Sequence, residues 1–107
     1  MSDNVHGHCR EAAARLDYLL RNHPAETADE LTDAVRCAVE LRDKMIERRR
    51  AQGAQNDAHS RRLRQVNSII SAIVAGEFPL IGIRWKRIEG ARDLLKQVLA
   101  EEEAESQ

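Results

Sequence analysis

Glycine and proline are scarce in this chain: five Gly and two Pro occur among 107 residues. A many-stranded sandwich or barrel needs a turn roughly every 8–12 residues, so this composition excludes that architecture. The length suits one domain, which we expect to span residues 1–107.

Cysteine and long hydrophobic runs are also scarce. Cys9 and Cys37 are the only two cysteines, too few for a disulfide framework, and residues 1–10 do not resemble a secretory signal. The longest apolar stretch, residues 69–83, is interrupted by Gly, Pro and Glu and is unsuited to crossing a bilayer. We therefore expect a reduced, cytoplasmic, soluble protein that does not bind membranes.

The chain has no overall excess of one charge, with 17 Lys and Arg against 18 Asp and Glu. Domains that bind nucleic acid are usually strongly basic, so this balance argues against that class. The distribution is uneven, however, because residues 48–64 contain six Arg and one Asp.

Hydrophobic residues recur at steps of three and four in four segments, which is the period of an amphipathic α-helix. The predicted helices span about residues 5–22, 28–52, 57–75 and 84–104. Pro24 ends the first helix, Thr27 begins a capping box, and Gly53 and Gly76 are C-terminal stops. Residues 101–107 form an acidic tail, of which residues 101–105 are predicted to be frayed and solvated.

Short links between long helices favour antiparallel neighbours. The sequence therefore predicts an all-α, antiparallel up-down-up-down four-helix bundle, and a homodimer of that bundle is a further hypothesis. In this topology the first and third helices begin, and the second and fourth helices end, at the same end of the molecule. The arginine-rich residues 48–64 and the acidic tail meet there.

That arginine-rich end is the first candidate site, because guanidinium groups bind phosphate and carboxylate. The predicted anion-binding residues are Arg49, Arg50, Arg61, Arg62 and Arg64. The alternative is a solvated charged end whose arginines pair with the acidic residues 101–105. No aromatic residue lies between the arginines to stack on a base, which weakens the case for single-stranded nucleic acid.

The connection before the fourth helix, residues 76–85, is the second candidate site. Connections usually run over the surface and are polar, but this one is apolar and holds the chain's only Phe and only Trp. The predicted partner-binding residues are Phe78, Pro79, Leu80, Ile81 and Trp85. An exposed apolar patch docks a partner; the alternative is a lid folded over the bundle core.

Two further features of the sequence are candidate sites. Arg42 falls within the apolar arc of the second helix, where it either extends its guanidinium to water or pairs inside an interface. His6, His8, Cys9 and His59 are expected at the arginine-rich end, but their spacing matches no structural zinc site. We predict no metal and no other cofactor.

No catalytic motif is present: the chain lacks a Gly-rich phosphate loop, a nucleophile elbow and a His-Glu-x-x-His helix. We predict no catalytic residue and expect a non-enzymatic interaction protein, an adaptor or regulatory subunit that binds a protein partner. A nucleic-acid-binding regulator using the arginines is the alternative. A small helical enzyme is the third hypothesis, and it requires Arg42, Asn67 and Arg92 to converge in the core.

Overall fold

The structure, a computed structural model, describes residues 5–22, 28–53, 57–75, 77–78 and 82–105. Helix α1 spans Val5–Asn22, α2 spans Ala28–Gln52, α3 spans Asp57–Ala75 and α4 spans Trp85–Glu105. Two short strands, β1 (Glu77–Phe78) and β2 (Gly82–Ile83), connect α3 to α4. The helix bounds lie within one residue of the predicted ones.

The four helices pack in a ring, in which α1 and α3 each contact both α2 and α4. This confirms the all-α four-helix bundle, which measures 43 × 21 × 19 Å along its principal axes. No described helix combines the length and the apolar character that a bilayer crossing needs. The bundle is closed within one chain, and the homodimer stays a prediction.

Each helix contributes one apolar stripe to a shared core, as the three-and-four spacing requires. The largest fully buried apolar side chains are Val5, Leu16, Leu19, Leu41, Met45, Val66, Ile69, Ile73, Ile88, Leu95 and Val98. Cys37 is buried in the core as well. Burying each large aliphatic side chain stabilises the fold by about 1.5–3 kcal/mol before conformational entropy is subtracted.

The residues that end the helices agree in part with the predicted stops. Gly53 follows α2 with a φ of 77°, a left-handed conformation that glycine adopts without the Cβ clash of other residues. Pro24, Thr27 and Gly76 lie outside the described residues.

The pairing of β1 with β2 is not predicted by the sequence, because strands of two residues are too short to show an alternating pattern. Glu77 pairs with Ile83 and Phe78 pairs with Gly82 in antiparallel register. The pairing turns the chain back on itself between α3 and α4, so that α4 begins beside the core.

Gly53→Ala should lower the free energy of unfolding by about 1–2 kcal/mol, because a residue with a Cβ is strained at this φ. Gly90→Ala is the matched control. Gly90 lies exposed within α4 with open space around an added Cβ, so alanine should stabilise by up to about 1 kcal/mol. Urea unfolding measures the change in the free energy of unfolding for both variants. Equal changes would contradict the role of Gly53 in ending α2 in a left-handed conformation.

Candidate functional site

The starts of α1 and α3 and the ends of α2 and α4 meet at one end of the bundle, as the up-down-up-down topology requires. His6 near the start of α1 donates from Nε2 to the carbonyl oxygen of Glu102 near the end of α4, at 3.0 Å. Arg48 from the end of α2 and Arg62 from the start of α3 reach the side chain of the same glutamate.

Glu102 is the centre of this end and is only 3% exposed. Arg48 donates to both of its carboxylate oxygens, from Nη1 at 2.5 Å and from Nη2 at 2.9 Å. Arg62 donates from Nε to Oε2 at 2.7 Å. Both arginines are themselves buried, so one carboxylate holds the guanidinium groups of two helices through charge-assisted hydrogen bonds.

Arg62 also binds the neighbouring glutamates. Its Nη2 donates to Glu105 at 2.6 Å and its Nη1 to Glu101 at 3.4 Å. Burial alone would lower the pKa of Arg62, but these hydrogen bonds and the nearby carboxylate charges outweigh it, so the pKa is raised. Arg61 binds Glu101 as well. We call these six residues the arginine–glutamate network: Arg48, Arg61, Arg62, Glu101, Glu102 and Glu105.

This network corrects one prediction. Residues 101–105 are predicted to fray, but they continue α4 as regular helix. Arginines of α2 and α3 hold the carboxylates of Glu101, Glu102 and Glu105, and Arg10 of α1 holds that of Glu103. Residues 106 and 107 lie outside the described part of the chain.

His59 lies beside the network. Its Nε2 is 3.1 Å from a carboxylate oxygen of Glu105 and its Nδ1 is 3.1 Å from the side-chain oxygen of Gln52. His59, Glu102 and Glu105 present potential metal ligands within 4.8 Å of one another. Arg62 donates to both carboxylates, however, and its positive charge opposes a cation at this position. The arrangement therefore has the chemistry of an ion-pair network rather than that of a metal site.

Cys9 is another potential ligand near this end, and its surroundings keep the thiol unreactive. Burial, followed by the charges of Glu102 and Glu103, raises the pKa of Cys9 to about 12. Its Sγ faces the carbonyl oxygen of Leu95 at 3.9 Å. A thiol with so high a pKa stays protonated at neutral pH and is a poor metal ligand.

A second group of arginines at the same end has no acidic partner among the described residues. Arg49, Arg50 and Arg64 are exposed, and none of them forms an ion pair with any residue that the structure describes. Arg49 and Arg50 border a groove of 550 Å³ between α2 and α3. The residues that line this arginine groove are Ile46, Arg49, Arg50, Gly53, Leu63 and Asn67.

The structure thus separates the five predicted anion-binding residues into two that bind glutamates of the same chain and three that stay exposed. Arg62 is buried with its donors on carboxylates, which corrects its assignment to an external anion. Arg61 is exposed but paired with Glu101. Arg49, Arg50 and Arg64 remain open to a ligand.

Sequence reasoning missed Arg48 and Glu102, although both carry a recognisable signal. Arg48 lies three residues after buried Met45, and Glu102 lies four residues after buried Val98. Each therefore continues an apolar stripe at helical spacing, and opposite charges on two such stripes at one end predict a buried pair. Arg42, which was singled out instead, is 35% exposed and reaches Asp43 at 3.4 Å.

The apolar segment is described only in part. Trp85 is half-buried and packs against the core, as a lid residue does. Only the backbone pairing of Phe78 is described, and Pro79, Leu80 and Ile81 lie outside the described residues. Partner binding through this segment stays a prediction.

The polar residues that the enzyme hypothesis requires do not converge in the core. Asn67 is exposed on α3, and Arg42 is partly exposed on α2. Arg92 binds Asp17 and Asp93 at the surface of α1 and α4.

Comparison of the chain with protein-family models, curated proteins and solved structures gives no match.

Glu102→Gln should lower the free energy of unfolding by about 3–5 kcal/mol, because it removes the negative charge that two buried guanidinium groups share. Glu103→Gln is the matched control. Glu103 is 43% exposed and pairs with Arg10 at 2.7 Å, so its loss should be below about 1 kcal/mol. Urea unfolding measures both, and similar losses would show that Glu102 has no special role in holding the bundle.

The contacts of Glu105 predict how the stability of the protein responds to acid. Burial would raise the pKa of Glu105, but hydrogen bonds from Arg62 and His59 outweigh burial, so the pKa is lowered. A carboxyl with a lowered folded-state pKa stabilises the protein above its unfolded pKa of about 4.3 and loses that contribution as pH falls through the folded value. The stability of the wild type should therefore approach that of Glu105→Gln as the pH falls below about 4.3. If the difference in stability between the wild type and Glu105→Gln does not change over this pH range, the lowered pKa of Glu105 is contradicted.

Proposed function

We propose that this protein is a non-enzymatic interaction protein, an adaptor or regulatory subunit that docks an acidic, amphipathic helix of a partner protein in the arginine groove. One observation carries the proposal. At the end where three arginines are matched by three glutamates of the same chain, Arg49, Arg50 and Arg64 form no ion pair within the described part of the chain, and two of them border an apolar groove.

The residues that line the groove favour a protein ligand over a nucleic acid. Ile46 and Leu63 contribute apolar side chains between α2 and α3, and Arg49 and Arg50 stand at the border. An amphipathic helix uses both features, since its apolar face fills a groove while its acidic residues meet the cations. A nucleic-acid backbone uses only the charges.

The chain itself contains an example of such a ligand. Glu101 and Glu105, four residues apart on α4, bind the adjacent Arg61 and Arg62 of α3. Residues four apart lie on the same face of a helix. A partner helix with carboxylates at this spacing would meet the unmatched arginines in the same way.

Other features complete the proposal. Cys9 and Cys37 are free thiols, which fits the reducing cytoplasm as the location. A homodimer and a second docking surface at residues 78–85 remain part of the hypothesis, and the arginine groove is the surface with described geometry to support it.

The test uses a labelled helical peptide of about 16 residues, roughly four turns, with Leu on one face and Glu on the other. Fluorescence anisotropy should show binding that weakens as salt increases. The double variant Arg49→Gln, Arg50→Gln should bind about tenfold more weakly, because each lost exposed ion pair is worth up to about 1 kcal/mol.

The matched control is Arg15→Gln, Arg21→Gln, which removes two exposed arginines from α1 and should leave the affinity within about twofold of the wild type. Ile46→Ser should weaken peptide binding without affecting charge. If the peptide does not bind, or if both double variants lose affinity equally, the proposal fails. Tighter binding to a generic DNA duplex than to the peptide would favour the nucleic-acid alternative.

A further inference from the structure

A second surface groove adjoins the arginine groove. The arginine groove lies between α2 and α3, and Asn67 of α3 is one of its lining residues. Asn67 also lines a groove of 420 Å³ between α3 and α4. We call this the serine groove, and the residues that line it are Asn67, Ser68, Ser71, Ala72 and Arg87. The two grooves therefore meet at Asn67, on the exposed face of α3.

The serine groove is more polar than the arginine groove. Ser68 and Ser71 carry hydroxyl groups, Asn67 carries a side-chain amide, and all three residues are exposed. Ala72 is the one apolar residue of the lining, and none of the lining residues is acidic. Hydroxyl and amide groups donate hydrogen bonds to carboxylate oxygens, so this lining suits acidic side chains better than large apolar ones.

Arginines accompany both grooves. Arg87, in the first turn of α4, borders the serine groove. It is exposed and forms no ion pair with any residue that the structure describes. Arg64 lies three residues before Asn67 and four before Ser68, so it is their neighbour on the exposed face of α3. The unmatched cations therefore continue from the arginine groove across α3 to the serine groove.

We propose that the acidic partner helix extends beyond the arginine groove, crosses the exposed face of α3 at Asn67 and reaches the serine groove, where one of its carboxylates pairs with Arg87. This inference rests on the proposed function and specifies the partner further. The part of the partner in the arginine groove is amphipathic, whereas the part in the serine groove is acidic and polar. Charges placed in this way fix the orientation and register of a bound partner.

The distance between the grooves sets the length of the extension. Leu63 lines the arginine groove and Ala72 lines the serine groove. These residues are nine positions apart on α3, which corresponds to about 13 Å along the helix axis. An added segment of about eight residues, with a helical length of about 12 Å, therefore spans from one groove to the other.

Three labelled peptides test the extension by fluorescence anisotropy. The first is the Leu and Glu peptide that tests the arginine groove. The other two add about eight residues of Glu and Ala, about 12 Å of helix, at its N-terminal or at its C-terminal end. The extension that points to the serine groove should bind the wild type about two- to fivefold more tightly than the first peptide does, the gain expected from one exposed ion pair.

Substitutions on α3 and α4 show whether this gain depends on the serine groove. Arg87→Gln should remove the gain and leave the affinity for the first peptide within about 1.5-fold of the wild type. Lys86→Gln is the matched control and should keep the gain, because exposed Lys86 lines a different groove, between α1 and α4. Ser71→Trp should remove the gain by filling the serine groove without changing its charge. Thermal unfolding checks that each variant is folded.

The outcomes separate this inference from the proposed function. If the first peptide binds but neither extension gains affinity, or if the gain survives in Arg87→Gln, the serine groove is refuted and the arginine groove is retained. If Lys86→Gln removes the gain as fully as Arg87→Gln does, the attraction is general and the serine groove is refuted as well. If none of the three peptides binds, both grooves are refuted.

Discussion

The contact of the Glu102 carboxylate with Arg48 and Arg62 is the interaction on which the organisation of this end of the bundle depends. Three helices contribute one charged residue each, and all three are buried. Buried charges that lose their partners are strongly destabilising, so the ends of α2 and α4 and the start of α3 are held in one register. Apolar packing alone tolerates small shifts along the helix axes far better than this geometry does.

The same contact decides which arginines are available to a ligand. Arg48 and Arg62 point inward to Glu102, and the turn of α4 that Glu102 anchors brings Glu101 to Arg61. Arg49 and Arg50 follow Arg48 by one and two residues, so the helical rotation of about 100° per residue turns them away from the core. A run of three arginines thereby serves two purposes, with one residue in the interior and two beside the groove.

Much of the fold could be predicted from the sequence, because the apolar residues of all four helices recur at three and four and Gly53 ends α2 in a left-handed conformation. The meeting of the arginines with the acidic end of α4 followed from the topology. Which arginines are buried and which stay exposed could not be predicted from the topology, because that depends on the rotation of each helix to within one residue. Arg62 was assigned to an anion, whereas its position on the stripe of Val66 and Ile69 places it in the core.

The most direct measurement is a double-mutant cycle between Arg48 and Glu102. Urea unfolding of Arg48→Met, Glu102→Met and the double variant gives the coupling energy between the two side chains. A coupling of about 2 kcal/mol or more is expected for a buried, bidentate pair within the network. Losses that add to within about 0.5 kcal/mol would contradict the account, because the two residues would then act independently and Glu102 would not anchor the end of the bundle.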